Sequence, residues 1–310
     1  MVDDWYEKVF ENKHDEINEF LRQKEAMGRS PRTLNAYSRT LKKFYHEQFP
    51  DLTPAKTEVR HIEEYLHELN ERDLSQNTKR RYLESLSSFF SYAMKRPRFE
   101  KINSNPAGVV LEEIPKRVHD RPDCATWENA KKIVHEIADP RDKSVAVLLA
   151  KTGCRLTAAL EIQQDDLMLE EGFIRLRKRK GGKQTVVPVD DEVIKSLRRL
   201  QKIIPDDELD YLFVSMRGHR LSRERIRVAV RKAAITSGIM ERGETQFHRK
   251  FTPHTFRTVF TTLMRKRGMD DRILKYIRGD SSDQTMDVYT RVDRGEAREQ
   301  YLDCVAKLGL

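Results

Sequence analysis

Leu34, Tyr37, Leu41 and Phe44 recur at helical intervals behind Ser30-Pro31, and a segment with that pattern is an amphipathic helix that must bury its apolar stripe. Ser30 reads as the N-cap, and Pro31 takes the first helical position, where a missing N–H costs nothing. The same period returns in Val59, Ile62, Tyr65, Leu66 and Leu69, and again in Tyr82, Leu83, Leu86, Phe89, Phe90 and Ala93. With a short helix around Ile17 to Leu21, residues 1 to 95 read as helices only, enough for a small bundle.

The polar faces of these helices are basic. Arg29, Arg32, Arg39, Lys42 and Lys43 lie on the first long helix or lead into it, and Lys79, Arg80 and Arg81 open the third, interleaved with Tyr37 and Tyr82. Any one of them is as readily a solvated charge paired with glutamate as a phosphate contact, but clustering at helix starts favours DNA. Lys plus Arg total 59 against 50 Asp plus Glu, a net charge of +9 that fits a polyanionic partner. Cys124, Cys154 and Cys304 are scattered, without metal-ligand or disulfide spacing, so no cofactor or metal is expected and a reduced, cytoplasmic, nucleoid-associated protein is. The start is acidic where a signal peptide is basic, and no apolar run nears the roughly 18 residues of a membrane span.

A chain of 310 residues suits about two domains. From Lys95 to Pro122 the helical period disappears and Pro97, Pro106, Pro115 and Pro122 intervene among basic residues, which reads as a connection between domains. We place the first domain at 1–112, a basic linker at 113–122 and the second domain at 123–310.

The second domain opens with Thr126 as an N-cap, a helix stopped at Asp139-Pro140, and an apolar helix ending at Gly153. Arg155 follows at the start of a helix with apolar neighbours, where a buried guanidinium demands an anion. Phe173 to Arg177 and Gln184 to Val189 alternate and flank a Gly181-Gly182 turn, predicting a hairpin with Lys180 and Lys183 near its tip. Either lysine is a solubilising turn residue or a donor to a groove or leaving oxygen. A helix over Glu192 to Ile203, a short strand at Tyr211 to Val214 and a strongly basic helix over Leu221 to Ser237 follow. That last helix, with Arg223, Arg225, Arg227 and Arg231, reads as a DNA-docking element.

His254 and Arg257 lie three apart on one helix face, a pair able to grip two oxygens of one phosphate, and Tyr289 follows after Arg278-Gly279-Asp280. Alone the pair is a weak motif. In order, though, Thr152-Gly153-Cys154-Arg155, Lys180-Gly181-Gly182-Lys183, His254-Thr255-Phe256-Arg257 and Tyr289 resemble the tyrosine recombinase (phage integrase) family over residues 14 to 300. The layout is that of its Xer-like or archaeal integrase-like members, without an arm-binding domain.

The resemblance implies a mainly α fold with a small β-sheet: a helical, SAM-like core-binding domain, then an α+β catalytic domain. It implies that Arg155 and Arg257 clamp the scissile phosphate, Lys180 is the general acid with Lys183 its rival, His254 assists, and Tyr289 is the nucleophile. A phenol with a pKa near about 10 is a weak nucleophile, so cations must favour the phenolate and offset charge on the phosphorane. The implied partner is double-stranded DNA with an inverted-repeat core site, bound by a homotetramer that without DNA is a monomer or weak oligomer.

This chain departs from the family pattern where Gly279-Asp280 stands in place of Gly-His. An ionised Asp280 repels phosphate unless it turns toward Arg278 or another cation. Ala158 and Thr258 replace an acidic residue and a histidine often found beside the two arginines. Val292, Tyr301, Leu302, Val305 and Leu308 give the tail an apolar stripe that packs either on its own domain or on a neighbour. Tyr301 is the rival nucleophile. A non-catalytic DNA-binding protein and a type IB topoisomerase-like strand passer are the alternative functions.

Overall fold

The computed structural model describes residues 8–72, 74–115, 122–177, 185–204, 210–280 and 292–310. Contacts divide the chain into two units, Met1–His119 and Asp120–Leu310. Helices dominate both, and the sheet is small.

The first unit is built from α1 (Asp15–Ala26), α2 (Pro31–Lys42), α3 (Val59–Glu71), α4 (Gln76–Ala93) and α5 (Pro106–Glu113). Ser30 caps α2 by accepting the Thr33 N–H, and Pro31 occupies the first helical position as the sequence predicts. A π-helical turn over Lys43–Gln48 continues α2 and keeps Phe44 on the apolar stripe. Ile17, Phe20, Leu41, Phe44, Tyr65, Leu86 and Phe89 are fully buried or nearly so. The rings meet edge to face, Phe20 on Phe89 at 5.7 Å and Phe44 on Tyr65 at 5.2 Å between centroids.

The prolines between Lys95 and Pro122 do not end the helical part of this unit. Asn105 accepts the Gly108 N–H, Pro106 opens α5, and Ala107 and Val110 are buried where α5 packs on α3 and α4. Arg80 Nη1 donates to the carbonyls of Leu111 and Ile114 at 3.3 and 2.9 Å, fastening the end of α5 to α4. The apolar period is lost over so short a helix, and α5 completes the bundle.

The second unit has α6 (Trp127–Glu136), α7 (Pro140–Thr152), α8 (Leu156–Leu160), α9 (Asp191–Gln201), α10 (Arg223–Thr236), α11 (Pro253–Lys266), α12 (Asp271–Arg278) and α13 (Arg294–Cys304). Thr126 caps α6 as expected, and Asp139, where the sequence stops that helix, caps α7. The buried α7 lies against both α9 and α11. Three antiparallel strands, β1 (Leu167–Met168), β2 (Phe173–Leu176) and β3 (Thr185–Pro188), pair in that order, with Leu176 opposite Thr185. The strands of the predicted hairpin therefore pair, while its 178–184 turn lies outside the described residues. Arg177 Nε, at its base, donates to the fully buried Asp166 at 2.7 Å. Tyr211 and Val214 make isolated bridges, to Gln163 and Arg220, instead of the expected strand.

The tail packs on its own unit. Tyr301 and Leu308 are fully buried, and Glu192 accepts from the backbone N–H groups of Leu308, Gly309 and Leu310 at 2.6 to 3.1 Å. Fully buried Lys151 donates to Asp190 at 2.5 Å and to the Ala306 carbonyl at 2.7 Å, and it pairs with Glu192 at 2.5 Å. Burying an ammonium is costly unless such partners surround it.

Candidate active site

Two helix ends and one helix start converge. α7 terminates at Gly153, whose φ of +60° is the left-handed conformation glycine adopts without a Cβ penalty. A side chain there would also collide with Phe260, since an ideal Cβ lies 2.4 Å from Cδ1 of that ring. The turn sets Arg155 just ahead of α8. Thr252 and Thr255 close a capping box around the start of α11, which carries His254 and Arg257. α12 ends at Gly279, φ +63°, and delivers Asp280 to the same place.

Arg257 is the buried member, its side chain 5% exposed, and its Nη1 donates to the carbonyls of Gly153 at 2.7 Å and Arg278 at 2.8 Å. Its other amino group faces Asp280 Oδ1. Arg155 was expected to be buried and is instead 36% exposed, with Nη1 on the Gly279 carbonyl at 3.2 Å and Nη2 on Asp280 Oδ1 at 3.3 Å. Arg278 Nη2 reaches Asp280 Oδ2 at 3.2 Å. Three guanidiniums thus share one carboxylate, and the cationic surroundings are the kind the sequence required for an aspartate here.

These charges act on one another. Burial first, and Arg278 next, push Arg257 down to about 10 against the opposing pull of Asp280, so it remains charged at neutral pH. His254 is solvent-exposed at its edge, but loss of hydration first, then Arg257, Arg155 and Arg278, hold it below its ordinary value, which favours the neutral imidazole at pH 7. Its ring nitrogens then offer one donor and one acceptor.

Arg155, His254, Arg257, Arg278 and Asp280 line a cavity of about 360 Å³, together with Thr258, Thr261 and Thr262. The threonines follow His254 at helical spacing, a pattern visible in the sequence. Arg278, in the sequence a partner for Asp280, ends α12 and itself lines the cavity. A larger cavity of about 620 Å³ also touches Arg155 and His254 and is lined by Arg223, Arg227, Arg231 and Lys250.

The basic helix has two faces. Arg223, Arg227 and Arg231 recur every fourth residue and line the larger cavity, but Arg225 points elsewhere, pairing with Asp142 at 2.7 Å and Asp139 at 2.8 Å. Arg225 is a fastener between α10 and α7. In the first unit Arg80 is similarly engaged with α5 and with Glu84, and Lys79 donates to Asn70 at 2.6 Å. Lys43 lies 5.6 Å from the centre of the Tyr82 ring, tying the end of α2 to α4. Arg32 and Arg39 are on α2 and Arg81 on α4.

Lys180, Lys183 and Tyr289 lie outside the described residues. Tyr301 is described, and it cannot serve as the nucleophile: it is fully buried, and burial raises its phenol well above the ordinary value. Among the described residues no three His, Cys, Asp or Glu side chains gather as a metal site, and no helix is long and apolar enough to cross a membrane.

The chain is similar to known proteins over most of its length. Residues 125–296 match the phage integrase family, and residues 17–98 match the phage integrase N-terminal SAM-like domain. Tyrosine recombinase XerC of Thermodesulfovibrio yellowstonii is 32% identical over 288 residues, covering 88% of this chain and 90% of that protein. A lambda integrase dimer bound to a COC′ core site superposes with a TM-score of 0.69 at 18% identity, covering 91% of this chain and 99% of the other. A lambda integrase tetramer bound to a Holliday junction gives 0.68 at 17% identity, with 90% and 80% covered. The arginine cluster, the helical first unit and these matches agree that the chain belongs to the phage integrase family, the tyrosine recombinases.

Proposed function

We propose that this tyrosine recombinase is a site-specific enzyme that cuts and rejoins DNA strands through a 3′-phosphotyrosyl intermediate. The observation that carries the reading is the convergence of Arg155, His254, Arg257 and Arg278 on one cavity, where the three guanidiniums already hold the Asp280 carboxylate. Tyr289 is the nucleophile, Arg155 and Arg257 the phosphate clamp, and Lys180 the general acid, with Lys183 its competitor for that task.

The phenolate of Tyr289 attacks phosphorus as the bond to the 5′ oxygen breaks, and Lys180 protonates that departing oxygen. Arg155 and Arg257 stabilise charge on the non-bridging oxygens as the phosphorane forms. Neutral His254 is suited to donate a hydrogen bond to one of them. The phosphotyrosine conserves the bond energy, so a 5′-hydroxyl from another strand reverses the step without ATP.

The helical domain of residues 1–112, joined by 113–122 to the catalytic residues 123–310, supplies a second DNA-binding surface through Arg32, Arg39, Lys43 and Arg81. In the catalytic unit Arg223, Arg227 and Arg231 line the larger cavity beside Arg155, a position suited to phosphates flanking the scissile one. A homotetramer on paired inverted-repeat sites is the working assembly, a reading supported by the lambda integrase tetramer on a Holliday junction. Such an enzyme works at the nucleoid, in the cytoplasm.

Trapping on nicked duplex fragments of genomic or mobile-element DNA, resolved on denaturing gels, tests the function. Adducts at one inverted-repeat sequence are expected. Adducts scattered without sequence preference would point to the topoisomerase, and tight retention with no adduct to a binding-only protein.

A further inference from the structure

We propose that Asp280 is an internal stand-in for the scissile phosphate and that Arg278 is a third guanidinium of the phosphate site, handed to the DNA together with Arg155 and Arg257 when the carboxylate withdraws. The proposal rests on the cavity being the phosphate site of the reaction described above.

A structural ion pair balances its charges, and this cluster does not. Among the described residues, three guanidiniums face a single carboxylate, which leaves an excess of positive charge on a cavity wall also lined by His254, Thr258 and Thr262. The grip is divided in the way a phosphate would be gripped: one carboxylate oxygen takes Arg155 and Arg257, and the other takes Arg278. A phosphodiester offers two non-bridging oxygens in the same arrangement.

Arg155 and Arg257 are also anchored independently of Asp280, so its departure would not release them. Arg257 keeps two carbonyl partners through Nη1, and Arg155 keeps the Gly279 carbonyl. Arg278 is a helical residue whose Nε is buried without a hydrogen-bond acceptor among the described residues, a donor left over inside the cluster. The contacts from Arg155 and Arg278 to the carboxylate, at 3.3 and 3.2 Å, are long for charge-assisted bonds and so exchangeable. Asp280 thus prevents three uncompensated cations from crowding one another and excludes stray anions, while Arg278 brings a fork donor beside the usual two.

The test is binding of inorganic phosphate to the full chain, followed by the chemical shift of the His254 ring and by calorimetry, with circular dichroism confirming the fold. Asp280→Asn is expected to tighten phosphate binding by at least ~10-fold, because one negative charge is removed from contact with the incoming anion. Adding Arg278→Met should reverse most of that gain, and Arg278→Lys should retain an intermediate part. Phosphate affinity unchanged or weakened in Asp280→Asn, or indifferent to Arg278→Met, would overturn the proposal. If Asp280→Asn misfolds, Asp280→Ser supplies the same comparison. The readout needs no cleavage: normal adduct formation with unresponsive phosphate binding sinks this proposal alone, whereas responsive phosphate binding without any adduct sinks the recombinase reading alone.

Discussion

Replacing Gly153 with alanine perturbs the turn on which the site depends, and the structure supplies the magnitude. At φ +60° a Cβ costs about 1–2 kcal/mol in backbone strain. The added methyl would also lie 2.4 Å from Phe260 Cδ1, and Phe260 is fully buried, so the ring cannot step aside without displacing its core neighbours. Overpacking of that kind costs about 1–3 kcal/mol, giving ~2–5 kcal/mol in all. Urea unfolding of the second unit should show this as a shift in midpoint, and Phe260→Leu added to Gly153→Ala should recover the steric part but not the strain. Because the Gly153 carbonyl anchors Arg257, residual folded enzyme should also lose cleavage rate. A loss below about 0.5 kcal/mol, the range of an unremarkable surface change, would refute the reasoning.

The two faces of α10 predict opposite outcomes. Arg225→Met should destabilise the protein by about 1–3 kcal/mol through the orphaned Asp142 and leave the salt dependence of DNA binding unchanged, whereas Arg227→Met should lower the slope of log affinity against log salt by about 1 with stability intact. At the tail, burial raises Glu192, but Lys151 and the Leu308 and Leu310 N–H groups outweigh it and bring its pKa to about 2, below the ordinary 4.5. The folded value is depressed, so the anchoring is complete above about pH 4.5 and is lost as pH falls toward 2; hydrogen exchange at Leu308 to Leu310 should accelerate over that window and not between pH 6 and 8. The His254 ring should titrate below 6.5 by NMR, and Arg155→Met, by removing a cation, should move its midpoint upward; a midpoint above 6.5 in the parent protein would contradict the site's electrostatics.

Much of the architecture was legible because local signals agreed with burial. Ser30-Pro31, Thr126 and Asp139-Pro140 each cap a helix where the sequence placed one, and the alternation of Phe173 to Leu176 matches a strand with Ile174 and Leu176 inward. The short helix α5 was not legible, since its apolar residues span barely two turns and prolines flank them. Arg223, Arg227 and Arg231 were recognisable as basic, but composition does not tell which arginine of a basic helix meets an aspartate from another element; Arg225 needed Asp139 and Asp142, more than 80 residues away in sequence. Asp280 stands out as a departure and Arg278 as a partner for it, yet a shared grip by three guanidiniums depends on the ends of α7 and α12 meeting the start of α11. Lys151 is not legible as buried, because a lysine in an apolar helix reads as a surface residue without its partners Asp190 and Glu192.

The measurement that bears most directly on the central claim is peptide mapping of the adduct formed with a nicked duplex carrying the preferred site. The account predicts a nucleotide attached through its 3′-phosphate to the peptide containing Tyr289, and no adduct from Tyr289→Phe. An adduct persisting in Tyr289→Phe, or mapped to any other residue, would contradict it.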